Sequence, residues 1–518
     1  DGGGTTGFDK NELVAKGFLG GGTSALQHRS ELKLGFSDEH SNETYLGLTN
    51  DDFRDDPWRR YVASQGDRME WWRTQAVWSH AFAAETFDGV LTVYRHDFQR
   101  SWEKLNGFAG GPPLEDVLSN PDAGQTAVYA AILRGEQDSS TPDEDLLIGV
   151  NRRRFVSQGM QLRGNVRFET GAVPHSVEAG LRLHGDHIDR RHTEDRYAMQ
   201  SGELDAQDDA TAVRVDSRAA ATAVAAHVQD EIRVGRWVFT PGGRVEWIET
   251  RLQDHLASTD RRATDVVVLP GMGAFVDVGK GLGLLAGVHE GFSPVAPGQP
   301  AAVRPEKSLN YEAGGRWGRA ATQTELIGFF SDYRNITGEC TFSGGCTDDL
   351  SSQFNGGRAQ VWGIEALAKQ GFEGPWGTSL RADLSWTWTE TMFLHDFVSE
   401  NPQWGDVEAG DELPYVPRHR VTGALTAGGP RWEIAAAASH ETQMREEAGR
   451  GRAPAYLRTD AHTLLDLAAR WRFDARGEVY VTLQNALGEE YLASHRPFGA
   501  RPGKRRDLRL GLKYRFGG

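Results

Sequence analysis

The stretch Asp507-Leu-Arg-Leu-Gly-Leu-Lys-Tyr-Arg-Phe516 decides the fold. Leu508, Leu510, Leu512, Tyr514 and Phe516 take every second position, and Asp507, Arg509, Gly511, Lys513 and Arg515 fill the gaps. A strand points successive side chains to opposite faces, so this segment has one wholly apolar face ending in aromatics and one mostly charged face. The apolar face has two homes. It packs against a core in water, or it meets hydrocarbon while the charged face lines a wet lumen. The rest of the chain decides between them.

The pattern repeats. Leu380, Ala382, Leu384, Trp386 and Trp388 alternate with Arg381, Asp383, Ser385, Thr387 and Thr389, and Leu32, Leu34 and Phe36 alternate with Glu31, Lys33 and Gly35. Segments of this kind come in pairs, such as 68–82 with 90–102, 159–170 with 177–187, 266–278 with 282–292, and 463–473 with 479–484. The two strands of a pair are joined by a tight turn, and successive pairs by long polar connections such as 106–144. With 8–18 and 30–37 the sequence predicts about 19 strands. Many exceed the roughly five or six residues usual in water and match the roughly 9–11 needed to cross a bilayer at a tilt. A propeller would give short strands at a regular blade repeat. Short turns on one side and long loops on the other mark an all-β, antiparallel transmembrane barrel with periplasmic turns and extracellular loops.

Composition agrees. The net charge of −16 argues against a nucleic-acid partner. No apolar run approaches the roughly 20 residues of a membrane helix, and the mean hydropathy of −0.53 suits a barrel whose lumen and loops are polar. The 15 Trp and 12 Tyr, against 6 Met, suit membrane interfaces. Cys340 and Cys346 lie in a turn-rich stretch. A local disulfide, formed in an oxidising compartment, is the simplest reading, since a metal site would want more ligands nearby. There is no Gly-x-Ser-x-Gly elbow and no phosphate loop, so an enzyme is not expected.

Several segments carry a family resemblance. Leu413-Pro-Tyr-Val-Pro-Arg-His-Arg420, Leu483-Gln-Asn-Ala-Leu-Gly-Glu-Glu-Tyr491, Arg501-Pro-Gly503 and the final aromatic strand resemble late-barrel and C-terminal signatures of TonB-dependent outer-membrane receptors. Gly287-Val-His-Glu-Gly-Phe-Ser-Pro294 with Arg304-Pro-Glu-Lys-Ser-Leu-Asn-Tyr-Glu312 resembles the mid-barrel segment. Glu43-Thr-Tyr-Leu-Gly-Leu48 and Asp56-Pro-Trp-Arg-Arg-Tyr61 are most similar to receptors of the ferric-citrate type. The resemblance implies a barrel of roughly 22 strands, an N-terminal plug contacted by TonB, uptake of a ferric chelate of citrate or siderophore type, and no cofactor beyond the iron in the cargo. Against that pattern, residues 1–518 read as the barrel domain alone, with the plug and about three strands expected upstream of Asp1. The alternatives are a receptor of the same fold for a non-iron ligand, and a plug-less barrel serving as a pore or structural subunit.

A carboxylate chelate is anionic and calls for arginine forks. Arg152, Arg153, Arg154, Arg190 and Arg191 cluster on one extracellular hairpin and are the ligand-contact candidates, the plainer reading being rim charge. Trp58, Tyr61, Trp102 and Tyr197 are candidates for a hydrophobic siderophore or for the interface girdle. His184, His187 and His192 near Asp186, Asp189, Glu194 and Asp195 read as solvated strand residues, with a metal site as the alternative.

Overall fold

The computed structural model describes residues 7–346 and 350–515. Nineteen long strands and the four-residue strand Glu203–Ala206 make one antiparallel sheet. In chain order the long strands are β1 Phe8–Gly22, β2 Gln27–Ser41, β3 Arg68–Ala83, β4 Phe87–Phe108, β5 Leu146–Thr170, β6 Val173–Gln200, β7 Ala212–Val234, β8 Trp237–Asp254, β9 Thr259–Gly279 and β10 Leu282–Ser293. They continue as β11 Glu306–Arg319, β12 Thr322–Asn335, β13 Ala359–Glu373, β14 Ser379–Phe393, β15 His419–Gly428, β16 Trp432–Glu441, β17 His462–Arg472, β18 Gly477–Gln484 and β19 Asp507–Tyr514. Each long strand pairs with its neighbours in sequence, as a meander must.

Connections from odd to even strands are two to five residues long. The β9–β10 turn needs positive φ at three successive positions, Gly279, Lys280 and Gly281, and glycine supplies two of the three without steric cost. Connections from even to odd strands run to 37 residues, at 109–145. One departs from the expected alternation: β8 and β9 both continue beyond the apolar segments visible in the sequence, leaving only residues 255–258 between them.

The outward face carries the apolar residues. On β19, Leu508, Leu510, Leu512 and Tyr514 are all exposed, and Phe516 lies outside the described residues. On β5 the outward residues Met160, Leu162, Val166 and Phe168 are exposed, and Leu183 and Leu181 continue the band on β6. Gly511 is lumen-facing, and a Cβ there would lie 2.1 Å from the Tyr480 ring laid across it. Among the described residues β1 and β19 share no ladder. The loop after β2 is tied to the loop before β19: Leu46 bridges Phe498, Leu48 bridges Ala500, and Arg501 donates to the Thr44 and Tyr45 carbonyls at 2.9 and 3.0 Å.

The long connections are more structured than their polar composition predicts. Within 109–145 lie helices α2 (Leu114–Ser119) and α3 (Gly124–Arg134), after α1 (Asn50–Asp55) in the β2–β3 loop. Leu114, Val117, Leu118, Tyr129, Ile132 and Leu133 bury themselves against Leu46, Leu48 and Phe498, so the loops share a water-excluding core above the barrel. Asp52 binds it electrostatically, pairing with Arg59 at 2.7 Å and Arg134 at 2.9 Å and accepting from the Thr49 hydroxyl. These apolar residues are spaced for short helices, a period hidden among Gly, Pro and Asp.

The lipid-facing assignment is testable. Leu510→Arg on the outward face should cost roughly 2–4 kcal/mol. Arg509→Ala, removing an exposed lumen-side ion pair with Asp507, should stay within about 1 kcal/mol. Urea unfolding in lipid vesicles, followed by tryptophan fluorescence, measures both; equal losses would contradict the orientation.

Candidate ligand site beneath the extracellular loops

Strand parity, fixed by the lipid-facing residues, assigns every side chain further up the same ladder. On β5 the even positions Met160 and Leu162 face outward, so Arg153 faces the lumen and Arg152 and Arg154 face out. On β6 the outward positions are Leu181 and Leu183, so Arg190 faces the lumen and Arg191 faces out. The register sets Arg153 directly opposite Arg190, and Arg100 on β4 directly opposite Arg153. Three arginines therefore form one lumen-facing row across β4, β5 and β6. The row lies seven residues above the Met160–Leu183 pair, roughly 23 Å along the strand at about 3.3 Å per residue and beyond the apolar band.

The next row up contributes Trp102, Asn151 and His192. The Arg153 Nε–H donates to His192 Nε2 at 3.1 Å. Burial, then the charges of Arg153, Arg190, Lys104 and Arg100, pull the His192 imidazole down to about 3, so it is the neutral acceptor that this bond requires. Burial, then Arg190 and Arg100, lower Arg153 to about 10, leaving it charged at neutral pH.

The roof comes from three loops. Tyr45 lies with its ring 4.4 Å from Trp102 and 5.7 Å from Phe342, and its hydroxyl is 2.8 Å from Ser343 Oγ. Phe342 covers the buried Lys104 ammonium, 3.3 Å from its ring centre, and Lys104 Nζ donates to Asn106 Oδ1 at 2.6 Å. Cys340 and Cys346 are disulfide-bonded and flank Phe342, making this a short closed loop. The 294–305 loop is clipped on through Gln299, which donates to Ser351 O at 2.7 Å and accepts from Gln353 N at 2.8 Å. Floor and roof enclose a cavity of about 710 Å³.

The inner wall of the cavity is cationic, although Asp216, Asp254 and Glu339 are also among the lining residues. Among the described residues none of Arg100, Arg153 and Arg190 has a carboxylate within 4.0 Å, whereas most other arginines of the chain do. Arg190 donates to Ser351 Oγ at 2.9 Å. Arg100 Nε, Arg190 Nε and Trp102 Nε1 are buried with no hydrogen-bond partner among the described residues. Glu339, among the lining residues, is the acidic group whose charge offsets the burial of Arg190. Buried donors without acceptors are costly, and an anion with several acceptor oxygens is one partner that would satisfy them.

Residues 23–486 match the family model described as TonB-dependent receptor-like, beta-barrel. The chain belongs to this family. It is accordingly a protein of the bacterial outer membrane, with its long loops extracellular. Among solved structures it is similar to the ferric citrate transporter FecA in its unliganded form, at 18% identity and TM-score 0.71, covering 98% of this chain and 70% of that one. The ferric-catecholate import receptor Fiu of E. coli K12 matches at 13% identity and TM-score 0.71, over 98% and 75% of the two chains. The siderophore receptor PiuA of Acinetobacter baumannii matches at 12% and 0.71, over 99% and 80%. At these identities the likeness concerns the fold.

Of the five arginines singled out in the sequence of this receptor, Arg153 and Arg190 meet in the cavity; Arg152, Arg154 and Arg191 lie on the outer wall. Sequence reasoning missed Arg100, although its position on β4, two residues before Trp102, carries a usable parity signal. Of the four aromatics, Trp102 lines the cavity. Tyr61 is buried in the loop core and Tyr197 packs against it, while Trp58 lies under Arg505, 4.8 Å from its ring centre. The three histidines do not converge: His184 bonds Tyr94 Oη at 2.6 Å deeper in the lumen, His187 faces outward beside Asp189, and His192 is in the cavity.

The electrostatics give a direct check. Arg153→Gln should raise the His192 pKa from about 3 partway toward 6.5, because burial remains. Nitrogen-15 NMR of histidine-labelled receptor, assigned with His192→Gln, reads the shift; an unmoved or lowered pKa would contradict the geometry.

Proposed function

We propose that this receptor takes up a ferric chelate whose iron is held by carboxylates, of the citrate type, with iron as cargo rather than resident cofactor. The observation that supports it is the row of Arg100, Arg153 and Arg190, which among the described residues has no carboxylate within 4.0 Å, with buried donors on Arg100, Arg190 and Trp102 that find no partner there. A compact polycarboxylate offers paired oxygens to planar guanidinium forks, and its negative charge offsets like charges set directly opposite one another. The family supports transport, and similar structures are described as ferric citrate, ferric-catecholate and siderophore receptors. Transport is energised by TonB acting on a plug inside the barrel, as in the family that the sequence resembles. The disulfide loop and the 294–305 loop act as the roof that closes over bound chelate.

Binding should depend on the inward arginines and not on their outward neighbours. Arg153→Gln with Arg190→Gln should weaken ferric dicitrate by at least about a hundredfold, at roughly 1.5–3 kcal/mol per lost charged hydrogen bond. Arg152→Gln with Arg191→Gln should leave it within about threefold, since neither reaches the lumen. Calorimetric titration of the complete receptor measures both. Unchanged affinity in the inward pair would remove these residues from the site. A deletion strain that grows normally on ferric citrate as sole iron source, and fails on a catecholate or neutral hydroxamate, would replace the carboxylate chelate with that ligand.

A further inference from the structure

The outward arginines form a patch of their own. Arg152 stands directly opposite Arg191, and one step lower Arg154 stands opposite Asp189, itself opposite Arg218 on β7. Arg95 on β4 lies lower still, two residues above the exposed Val93 on the same face. The patch therefore begins at the upper edge of the apolar band and climbs the outer wall. Five arginines share three aspartates. Asp97 is taken by Arg95 through two bonds, at 2.8 and 3.0 Å, and reaches Arg154 only at 3.6 Å. Arg218 is 3.5 Å from Asp189 and Arg191 is 3.9 Å from Asp216, and among the described residues Arg152 has no ion pair. All five side chains are exposed.

Height and facing select the occupant. A residue on the outer wall just above the hydrocarbon band meets the headgroup layer, and the extracellular side of this outer-membrane protein faces the phosphorylated glycolipid leaflet. We infer that Arg95, Arg152, Arg154, Arg191 and Arg218 form a docking site for the sugar-linked phosphates of an outer-leaflet glycolipid. Guanidinium forks take the phosphate oxygens in pairs, and the interleaved aspartates accept from sugar hydroxyls. The facing pair Arg152–Arg191 is unfavourable alone and is relieved by a phosphate between them. The inference rests on the outer-membrane location and not on the chelate, because these side chains never enter the lumen.

The test uses the complete receptor, stripped of lipid in detergent and titrated by native mass spectrometry with a hexa-acylated glucosamine disaccharide bisphosphate. The bisphosphate should bind at least about tenfold more tightly than its dephosphorylated form, and Arg152→Gln, Arg154→Gln, Arg191→Gln and Arg218→Gln combined should lose at least about tenfold. Heat-modifiable gel mobility reports whether the combined variant folds. Should it not fold, Arg152→Gln alone, which breaks no ion pair, should still lose about threefold. Equal binding of the dephosphorylated lipid, undiminished binding by the folded variants, or complete displacement by millimolar inorganic phosphate would overturn the proposal, the last by indicating a free-anion site. Retained ferric dicitrate affinity in the same variants separates this result from failure of the chelate reading.

Discussion

Inside hydrocarbon no backbone N–H or C=O can be left to water, and everything else in this molecule follows from that constraint. Each long strand is held by ladders to its neighbours in sequence, so it cannot slip, and a one-residue slip would turn every side chain to the wrong face. Parity set by Leu and Phe in the membrane is therefore carried rigidly upward for many residues. Arg152, Arg153 and Arg154 are neighbours in sequence, yet they serve two compartments because the ladder at Met160 and Leu162 has already decided which way each one points.

Above the membrane the physics changes. The long loops meet water and can bury apolar surface conventionally, and they do so with short helices, the Leu46–Phe498 and Leu48–Ala500 bridges, and the Asp52 ion pairs. This core joins the second strand's loop to the last strand's loop across most of the chain's length. It also holds Tyr45 over Trp102. The rigid wall and the loop core thus present opposite sides of one cavity, the wall supplying charge and the loops supplying aromatic cover.

The barrel was legible because its signal is local and repeated: alternation in Leu508–Tyr514 or Leu380–Trp388 needs no knowledge of the rest. Half of the candidate ligand site was legible for a related reason. The arginine run 152–154 and the pair 190–191 are visible as charge, but their sorting into inward and outward needs the register between β5 and β6, which is a long-range fact. Arg100 was missed because a single arginine in an aromatic strand looks like any lumen residue until its partner across the ladder is known. The loop core was missed because Leu114, Val117 and Leu118 form a six-residue helix, too short for a period to rise above its Gly-Pro-Asp surroundings.

Facing arginines in an acidic protein need a compensating partner. On a chain of net charge −16, carboxylates were available to pair with every one of them, as they do with Arg59, Arg214 or Arg358. Within the cavity Arg100, Arg153 and Arg190 sit opposite one another, and among the described residues none has a carboxylate within 4.0 Å; Glu43 and Glu339 offset them only from farther away. An internal carboxylate would satisfy the guanidinium groups and leave nothing for a ligand to gain. Forks left without a carboxylate among the described residues, partly desolvated and fixed by the ladder, would keep that free energy available to the anion proposed to bind there, with little spent on reorganising a rigid wall. On the proposed reading, the stability forgone in the empty barrel reappears as affinity when an anionic chelate binds.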